Sequence, residues 1–231
     1  MEKLQLSKRL KTVSKYVKRN EPIADIGSDH AYLPIYLIQH ELVPNAIAGE
    51  VIEGPFQNAQ RKVKDYRLED RVSVRFGDGL NVLSQNDEIG TVTICGMGGI
   101  LITNILSDAL NQQLLSKTIR LVLQPNNAEK DIRMFLQQNQ YKIVEEAIVE
   151  ENNKIYEISV AEGHSKNIEY SEEELTFGPV LSKKKSPIFY KKWEEELHIN
   201  ERIFEQLKNT KNVEKKKDIQ DKIHQIKKVL S

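Results

Sequence analysis

Asp25-Ile26-Gly27-Ser28-Asp29-His30-Ala31-Tyr32-Leu33-Pro34 is the stretch on which the reading of this chain turns. It starts within a short apolar run, Ile23–Ile26, and opens a helical pattern over Leu33–His40. A glycine between strand and helix lets the backbone turn sharply and approach a ligand, while the helix start offers free N–H groups and positive potential. In the dinucleotide fold this place holds a pyrophosphate by means of three glycines, G-x-G-x-x-G. Here one glycine stands between Asp25 and Asp29. Two carboxylates repel a pyrophosphate, so a nicotinamide or flavin cofactor is disfavoured. A ligand with cationic groups is expected instead, and S-adenosylmethionine (SAM) carries both an α-ammonium and a sulfonium.

Outward from this turn, short β-type runs alternate with helical stretches. The expected strands are Ile23–Ile26, Ala46–Val51, Val72–Phe76, Thr91–Cys95 and Ile119–Leu123, and the expected helices are Leu33–His40, Pro55–Tyr66, Ile100–Leu110 and Ala128–Gln138. Such alternation, with near-continuous apolar strands, predicts an α/β fold whose parallel sheet is covered on both faces. Tyr141–Glu150 and Lys154–Ala161, joined by Glu151-Asn152-Asn153, read as a terminal hairpin that adds an antiparallel strand. Before the first strand, Leu6, Leu10, Val13 and Val17 form one apolar stripe of a helix that Pro22 interrupts.

Composition shifts near residue 163. Gly163 to Pro187 reads as a linker holding a short helix over Ser171–Leu175, where Ser171 caps and Glu174 completes a capping box. Beyond it, Tyr190, Trp193, Leu197, Asn200, Phe204 and Leu207 form one heptad seam, and Ile219, Ile223, Ile226 and Leu230 another, broken by Asn209–Asn212. The simplest solution is an antiparallel, coiled-coil-like helical hairpin, with Trp193 and Phe204 in its core. The expected domains are therefore 1–163 and 164–231.

Three further motifs sit at strand ends. Glu50 follows Asp25 by 25 residues, an offset at which a carboxylate accepts the hydroxyls of a ribose. Gly77-Asp78-Gly79 offers an acid between glycines that can accept from an adenine amine. Cys95-Gly96-Met97-Gly98-Gly99 leaves room for cofactor and substrate where ligands gather in open α/β sheets. Each alone is as well explained by a turn or a helix cap. Together they fall at the carboxyl ends of four successive strands, as a nucleoside-binding sheet requires.

The 231 residues are 29% charged and 39% apolar, too apolar for wholesale disorder. No apolar run approaches the ~20 residues of a membrane span, and the opening residues show no signal-peptide pattern. One cysteine excludes an internal disulfide framework or a cysteine-cluster metal site, and the histidines lack metal-ligand spacing, so no metal is expected and a reducing cytoplasm is the natural home. The formal net charge is zero, yet its parts differ. Residues 1–20 hold seven basic and one acidic side chain, residues 21–182 hold 13 and 25, and residues 183–231 hold 14 and 8. Basic ends around an acidic middle suit a polyanionic partner, with solvated helix faces as the alternative.

The run from Asp25 to Pro34, with Gly77-Asp78-Gly79, Gly96-Met97-Gly98-Gly99 and Gln124-Pro125-Asn126, resembles the bacterial tRNA adenine-22 N1-methyltransferase family (TrmK) over essentially the whole chain. The resemblance implies a SAM-dependent, Rossmann-like class I methyltransferase sheet, mostly parallel, with a C-terminal helical pair. It implies that Asp25, Gly27, His30, Glu50, Asp78, Gly79, Gly96 and Met97 line the SAM site, to which Val51 and Cys95 are added as neighbours. Many amino-group methyltransferases carry Asn-Pro-Pro-aromatic after the fourth strand. Gly-Met-Gly-Gly in its place fits attack by a ring nitrogen.

For the chemistry, Asp29 is the candidate for stabilising the developing cation, with a helix-capping role as its alternative. Gln124, Pro125 and Asn126 are candidates to meet the target base, and Tyr32 to stack on it, with a turn and core packing as their alternatives. Lys8, Arg9, Lys15, Lys183, Lys184, Lys185, Lys191 and Lys192 are candidate phosphate contacts for tRNA. A monomer is expected, with a dimer through the appendage the alternative. Competing functions are a methyltransferase for another RNA site or a small molecule, a non-catalytic RNA-binding module, and, weakest, a nicotinamide oxidoreductase.

Overall fold

The computed structural model describes residues 3–207 and 212–231, in two compact units, Met1–Tyr170 and Ser171–Ser231. The boundary thus falls after residue 170 rather than after 163. Tyr170 belongs to the first unit, its hydroxyl accepting from the Ile143 N–H at 2.8 Å and its own N–H donating to Gln137 Oε1 at 2.5 Å.

The first unit is built on seven strands: β1 (Ile23–Ile26), β2 (Ala46–Glu50), β3 (Val72–Phe76), β4 (Thr91–Met97), β5 (Arg120–Pro125), β6 (Tyr141–Glu151) and β7 (Lys154–Gly163). Their order is β3-β2-β1-β4-β5-β7-β6. β1 to β5 are parallel, and β7 runs antiparallel to both β5 and β6. Every residue of β1 and β2 is buried, which is why these strands read as unbroken apolar runs. Helices α1 (Lys8–Ser14), α2 (Tyr32–Gln39), α3 (Glu53–Asp65), α4 (Gly99–Asn111) and α5 (Glu129–Gln138) complete the unit. The chain leaves β1 towards β2 and β3, then returns to β4 on the other side of β1. That reversal puts the carboxyl ends of β1 and β4 on either side of a crevice, the place where open α/β sheets take ligands.

Several expected elements differ in extent, α1 and β4 among them, and β5 runs from Arg120 to Pro125 where Ile119–Leu123 was expected. α1 is only seven residues long, because Ser7 caps it, accepting from the Leu10 N–H at 3.3 Å. Val13 and Val17 are nonetheless buried, so the stripe still faces the core. β4 runs two residues past Cys95, through a register shift between Cys95 and Met97. At the far edge of the sheet, Arg133 of α5 is wholly enclosed with Glu146 of β6 and Glu157 of β7. Its Nε donates to Glu146 at 2.9 Å and its Nη2 to Glu157.

The second unit holds α6 (Glu172–Phe177), α7 (Leu181–Lys184), α8 (Pro187–Leu207) and α9 (Val213–Leu230). The capping box is present as read: the Ser171 hydroxyl accepts from the Glu174 N–H at 3.1 Å, and Glu174 accepts from the Ser171 N–H at 3.0 Å. Much of the expected linker is therefore helix. Phe177 and Leu181 are buried, and Phe177 meets Trp193 edge-on at 4.5 Å between ring centroids. α8 and α9 pack together, with Lys222 on Glu196 at 3.3 Å and Lys227 on Glu201 at 2.8 Å. Trp193, Asn200 and Ile226 of the expected seams are buried, while Phe189 and Val229 are buried where Tyr190 and Leu230 stay half-exposed. Phe204 is half-buried. The expected break at Asn209–Asn212 lies outside the described residues except for Asn212, whose side chain caps α9. Among the described residues no helix is long and apolar enough to cross a membrane.

Candidate active site

The turn after β1 is built from positive φ angles. Gly27 has φ +67°, and Asp29, His30 and Ala31 follow at +41°, +66° and +56°. A left-handed residue with a Cβ costs about 1–2 kcal/mol, so three in succession need compensation. Gly49 O supplies part of it, accepting the N–H groups of Gly27 at 2.9 Å and Ser28 at 3.2 Å. Glu50 Oε1 supplies the rest, accepting the Asp29 N–H at 2.5 Å. Strand-end carbonyl and carboxylate thus hold the loop in a shape its residues would not adopt alone.

Asp25 and Glu50 lie buried at the ends of β1 and β2. Burial pushes the Asp25 carboxyl up to about 6, against the hydroxyls of Ser28 and Thr93, which donate to it at 2.6 and 2.5 Å. The charge of Glu50 adds to the rise and that of Arg9 opposes it. Burial also raises Glu50 above the usual carboxylate range, opposed by the Asp29 N–H. Among the described residues neither carboxylate has an ion-pair partner. Asp29 points the other way. Its side chain is 80% exposed, with Oδ1 3.4 Å from His30 Nε2. The helix-capping alternative for Asp29 falls away, because α2 starts from Ala31 and no side chain caps it.

Next to Glu50, Val51 and Ile52 are exposed, as are Phe76 at the end of β3 and Leu101 in the first turn of α4. Asp78 is exposed, and a small cavity of about 80 Å³ is lined by Asp78, Gly79, Leu101, Asn104 and Asp108. Gly27 is close-packed against the loop from β4: a Cβ there would stand 1.9 Å from Met97 Cε. The expected SAM-site residues Asp25, Gly27, Glu50, Val51, Cys95, Gly96 and Met97 therefore gather at the carboxyl ends of β1, β2 and β4. His30 lies on the same turn as Asp29, and Asp78 and Gly79 follow β3.

The far wall is formed by the ends of β4 and β5 and the residues that follow them, and it bears on three expectations. Gln124 is fully buried and its amide is spent: Oε1 accepts from Arg9 and from the Gly96 N–H at 3.1 Å, and Nε2 donates to Pro125 O at 2.6 Å. It shapes the wall and does not reach out to a base. Pro125 is buried too, which leaves Asn126 as the exposed member of that trio. Arg9 turns its guanidinium onto Gln124, donating to Oε1 from Nη1. Lys183 is tied to Glu174 at 3.1 Å, so it belongs to the cap of α6 as well as to the basic surface.

The other candidates are placed more simply. Tyr32 is half-buried, with Lys62 Nζ 4.6 Å from its ring centroid and His30 at 5.5 Å. Cys95 is half-buried, and desolvation pushes its thiol well above the ordinary range. Lys8, Lys15 and Lys191 are exposed, Lys184 is exposed and engaged, Lys185 is half-buried with φ +41°, and Lys192 stands 5.3 Å from the Trp193 ring. Sequence reasoning missed Thr93, although a polar residue inside a buried strand is a usable signal. It also missed the inward role of Arg9, for which no local signal exists.

A doubly wound sheet with β7 inserted antiparallel between β5 and β6, and unneutralised carboxylates at the crevice between β1 and β4, defines a Rossmann-like methyltransferase. Residues 23–228 match the family described as tRNA (adenine(22)-N(1))-methyltransferase. The tRNA (adenine(22)-N(1))-methyltransferase of Bacillus subtilis is 41% identical over 238 aligned residues, which cover 100% of this chain and 99% of that protein. A Streptococcus pneumoniae structure in complex with SAM superposes with a TM-score of 0.89 at 40% identity, over 98% of this chain and 100% of the other. The M. capricolum TrmK in complex with S-adenosyl-homocysteine does so with a TM-score of 0.86 at 28% identity, over 97% of each chain. The chain belongs to the tRNA (adenine(22)-N(1))-methyltransferase family.

Proposed function

We infer that this protein transfers the methyl group of SAM to N1 of an adenine in tRNA, the adenine being position 22 as its family has it. The observation that carries the reading is the pair of buried, unneutralised carboxylates Asp25 and Glu50 at the crevice of the sheet. They await a ligand that brings cationic and hydroxyl groups. Glu50 keeps one oxygen beyond its bond to Asp29 for a ribose. Val51, Ile52, Phe76 and Leu101 offer exposed apolar surface for an adenine ring, with Asp78 beside them for its amine. The uncapped start of α2 leaves backbone N–H groups for a carboxylate. These residues fit SAM, which supplies an electrophilic methyl group on a sulfonium.

Adenine N1 has an in-plane lone pair, so the attack needs no obligatory base. The chain's task is to align two reactants, and alignment supplies as much as ~7–11 kcal/mol of a barrier. Gly96 lies at the end of β4 with φ +76°, and Gly99 lets the start of α4 pack against the backbone of Asn127 and Ala128, where a Cβ would stand 2.6 Å from Ala128 O. Positive charge arrives on the base as the methyl transfers, and exposed Asp29 is the carboxylate set to stabilise it. Asn126 and Tyr32 are the candidates to orient the base. Because N1 lies on the pairing edge, the base must come from an unpaired region or be flipped out. The exposed lysines of α1 and of the second unit give the sequence-independent grip on tRNA. The domain roles follow: the first unit for the cofactor and chemistry, the second for tRNA, in a monomer of the cytoplasm. Transfer of tritiated methyl from SAM to unmodified tRNA, with mapping of the labelled base, tests the reading. Label at any position other than an adenine N1, or none, sinks it.

A further inference from the structure

We propose that Arg9 is a positioning residue of the active site: from α1 it fixes the Gln124–Gly96–Asn126 wall in the form that receives the target base. The inference rests on the methyl-transfer reading and deepens it.

The wall is a closed set of hydrogen bonds. Gln124 Oε1 takes both Arg9 Nη1 and the Gly96 N–H, and Gln124 Nε2 donates to Pro125 O. Asn126 returns the connection, its Nδ2 donating to Gly96 O at 2.7 Å and its backbone N–H to Met97 O at 2.7 Å. A carboxamide has two ends of similar shape, one accepting and one donating. A guanidinium can only donate, so Arg9 adds a second donor to the Gly96 N–H on Gln124 Oε1 and, with Pro125 O on Nε2, holds the amide in one orientation. Without it, that orientation rests on the Gly96 N–H and Pro125 O alone, and the Gln124 side chain and the wall built on it lose their anchor to α1. Gln124 has no exposed surface while Arg9 is in place, so Arg9 is the group that closes its Oε1 off from solvent.

Three more observations show that the guanidinium is built in. A Cβ on Gly96 would stand 3.3 Å from Arg9 Nη1, so the glycine makes space for it. The guanidinium carbon lies 5.4 Å from the Tyr156 ring centroid, which gives the cation a partner on β7. The Arg9 backbone N–H donates to Glu151 Oε1 at 3.3 Å, tying α1 to β6. A phosphate contact needs donors turned outward, which its exposed neighbours Lys8, Lys11 and Lys15 provide.

The test uses the full chain with Arg9→Lys, Arg9→Met, Gln124→Met and the Arg9→Met/Gln124→Met double variant. Single-turnover methyl transfer at saturating tRNA is expected to fall about 30- to 100-fold in each, the scale of a 1 Å misplacement. SAM affinity by calorimetry in the charge-conserving Arg9→Lys, and tRNA affinity, are expected to stay within about threefold of wild type, and the double variant to be no slower than the single ones. Arg9→Lys, which keeps the charge and disturbs folding least, decides the alternative. If Arg9→Lys transfers methyl at the wild-type rate, or if in Arg9→Met the tRNA affinity falls and its salt slope flattens by ~0.7–0.9, Arg9 is a phosphate contact and the proposal is overturned. Independent, multiplying losses in the double variant also overturn it. Nitrogen-15 NMR gives a readout that does not need turnover: the Gln124 side-chain amide and the Gly96 amide are expected to shift together in Arg9→Lys, and unmoved signals refute the role. Wild-type protein inert toward tRNA would instead sink the methyl-transfer reading, with the NMR result still judging Arg9.

Discussion

The same sheet buries two pairs of carboxylates and treats them in opposite ways. Glu146 and Glu157 meet Arg133, whose guanidinium donates to both. Burial works against that cation, but the two glutamates outweigh it and hold the Arg133 pKa above its ordinary value. Asp25 and Glu50 have no such partner among the described residues, and burial lifts both above the carboxylate range. Composition alone cannot tell an acid in an apolar strand that is satisfied by its own protein from one that awaits a ligand. The partner decides, and the difference separates scaffold from site.

The contrast breaks most sharply at Arg133. Arg133→Met strands two buried carboxylates and is expected to cost about 3–5 kcal/mol, read as a fall of roughly 10 °C or more in thermal unfolding of a unit this size. Replacing all three members by apolar residues should recover most of that loss. If Arg133→Met unfolds like wild type, the triad is not what holds α5 to the edge hairpin.

Asp25 tests the other side through pH. Its folded pKa of about 6 lies above the ordinary 3.8, so the ionised form burdens the ligand-free fold. That burden, about 3 kcal/mol, is fully present above pH ~6 and fades as pH falls toward 4. The ligand-free protein should therefore gain stability from this group between pH 7 and 5, and Asp25→Asn should lack the gain. SAM, a cation, needs the ionised form, so its affinity should drop as pH falls through about 6. Calorimetry that finds SAM affinity constant from pH 5 to 7.5 would refute the pairing.

Asp29→Ala is expected to lower the transfer rate by about 10²-fold, the scale of losing one electrostatic contact to the reacting group, with SAM affinity little changed. Unaltered turnover removes its role. Asp78→Ala should act on binding instead, weakening SAM by roughly tenfold, the worth of one hydrogen bond to a charged group, while saturating SAM restores the rate. A loss that saturation cannot restore would move Asp78 out of the adenine pocket.

How much of this was legible depended on how far apart the partners stand in the chain. β1 and β3 begin and end where their apolar runs do, and the capping box of α6 is read from two residues three apart. The strand-end motifs were visible for the same reason, since each completes itself within a few residues. Gln124 was misjudged as a base contact because its amide is consumed by a side chain 115 residues away. Arg133 and its two glutamates went unseen for the same cause. The stretch taken as linker misled in another way: its glycine, serine and proline spoke louder than Phe177 and Leu181, which bury themselves regardless.

Asp29, His30 and Ala31 suggest a trade between endurance and turnover. Glycine would occupy their left-handed angles with less strain, and His30→Gly, at a position outside the core that buries Ala31, is a substitution that a search for thermal tolerance would favour. Yet a glycine there loosens the hinge that points Asp29 outward and the start of α2 inward. Variants selected for heat resistance at this turn should thus lose speed.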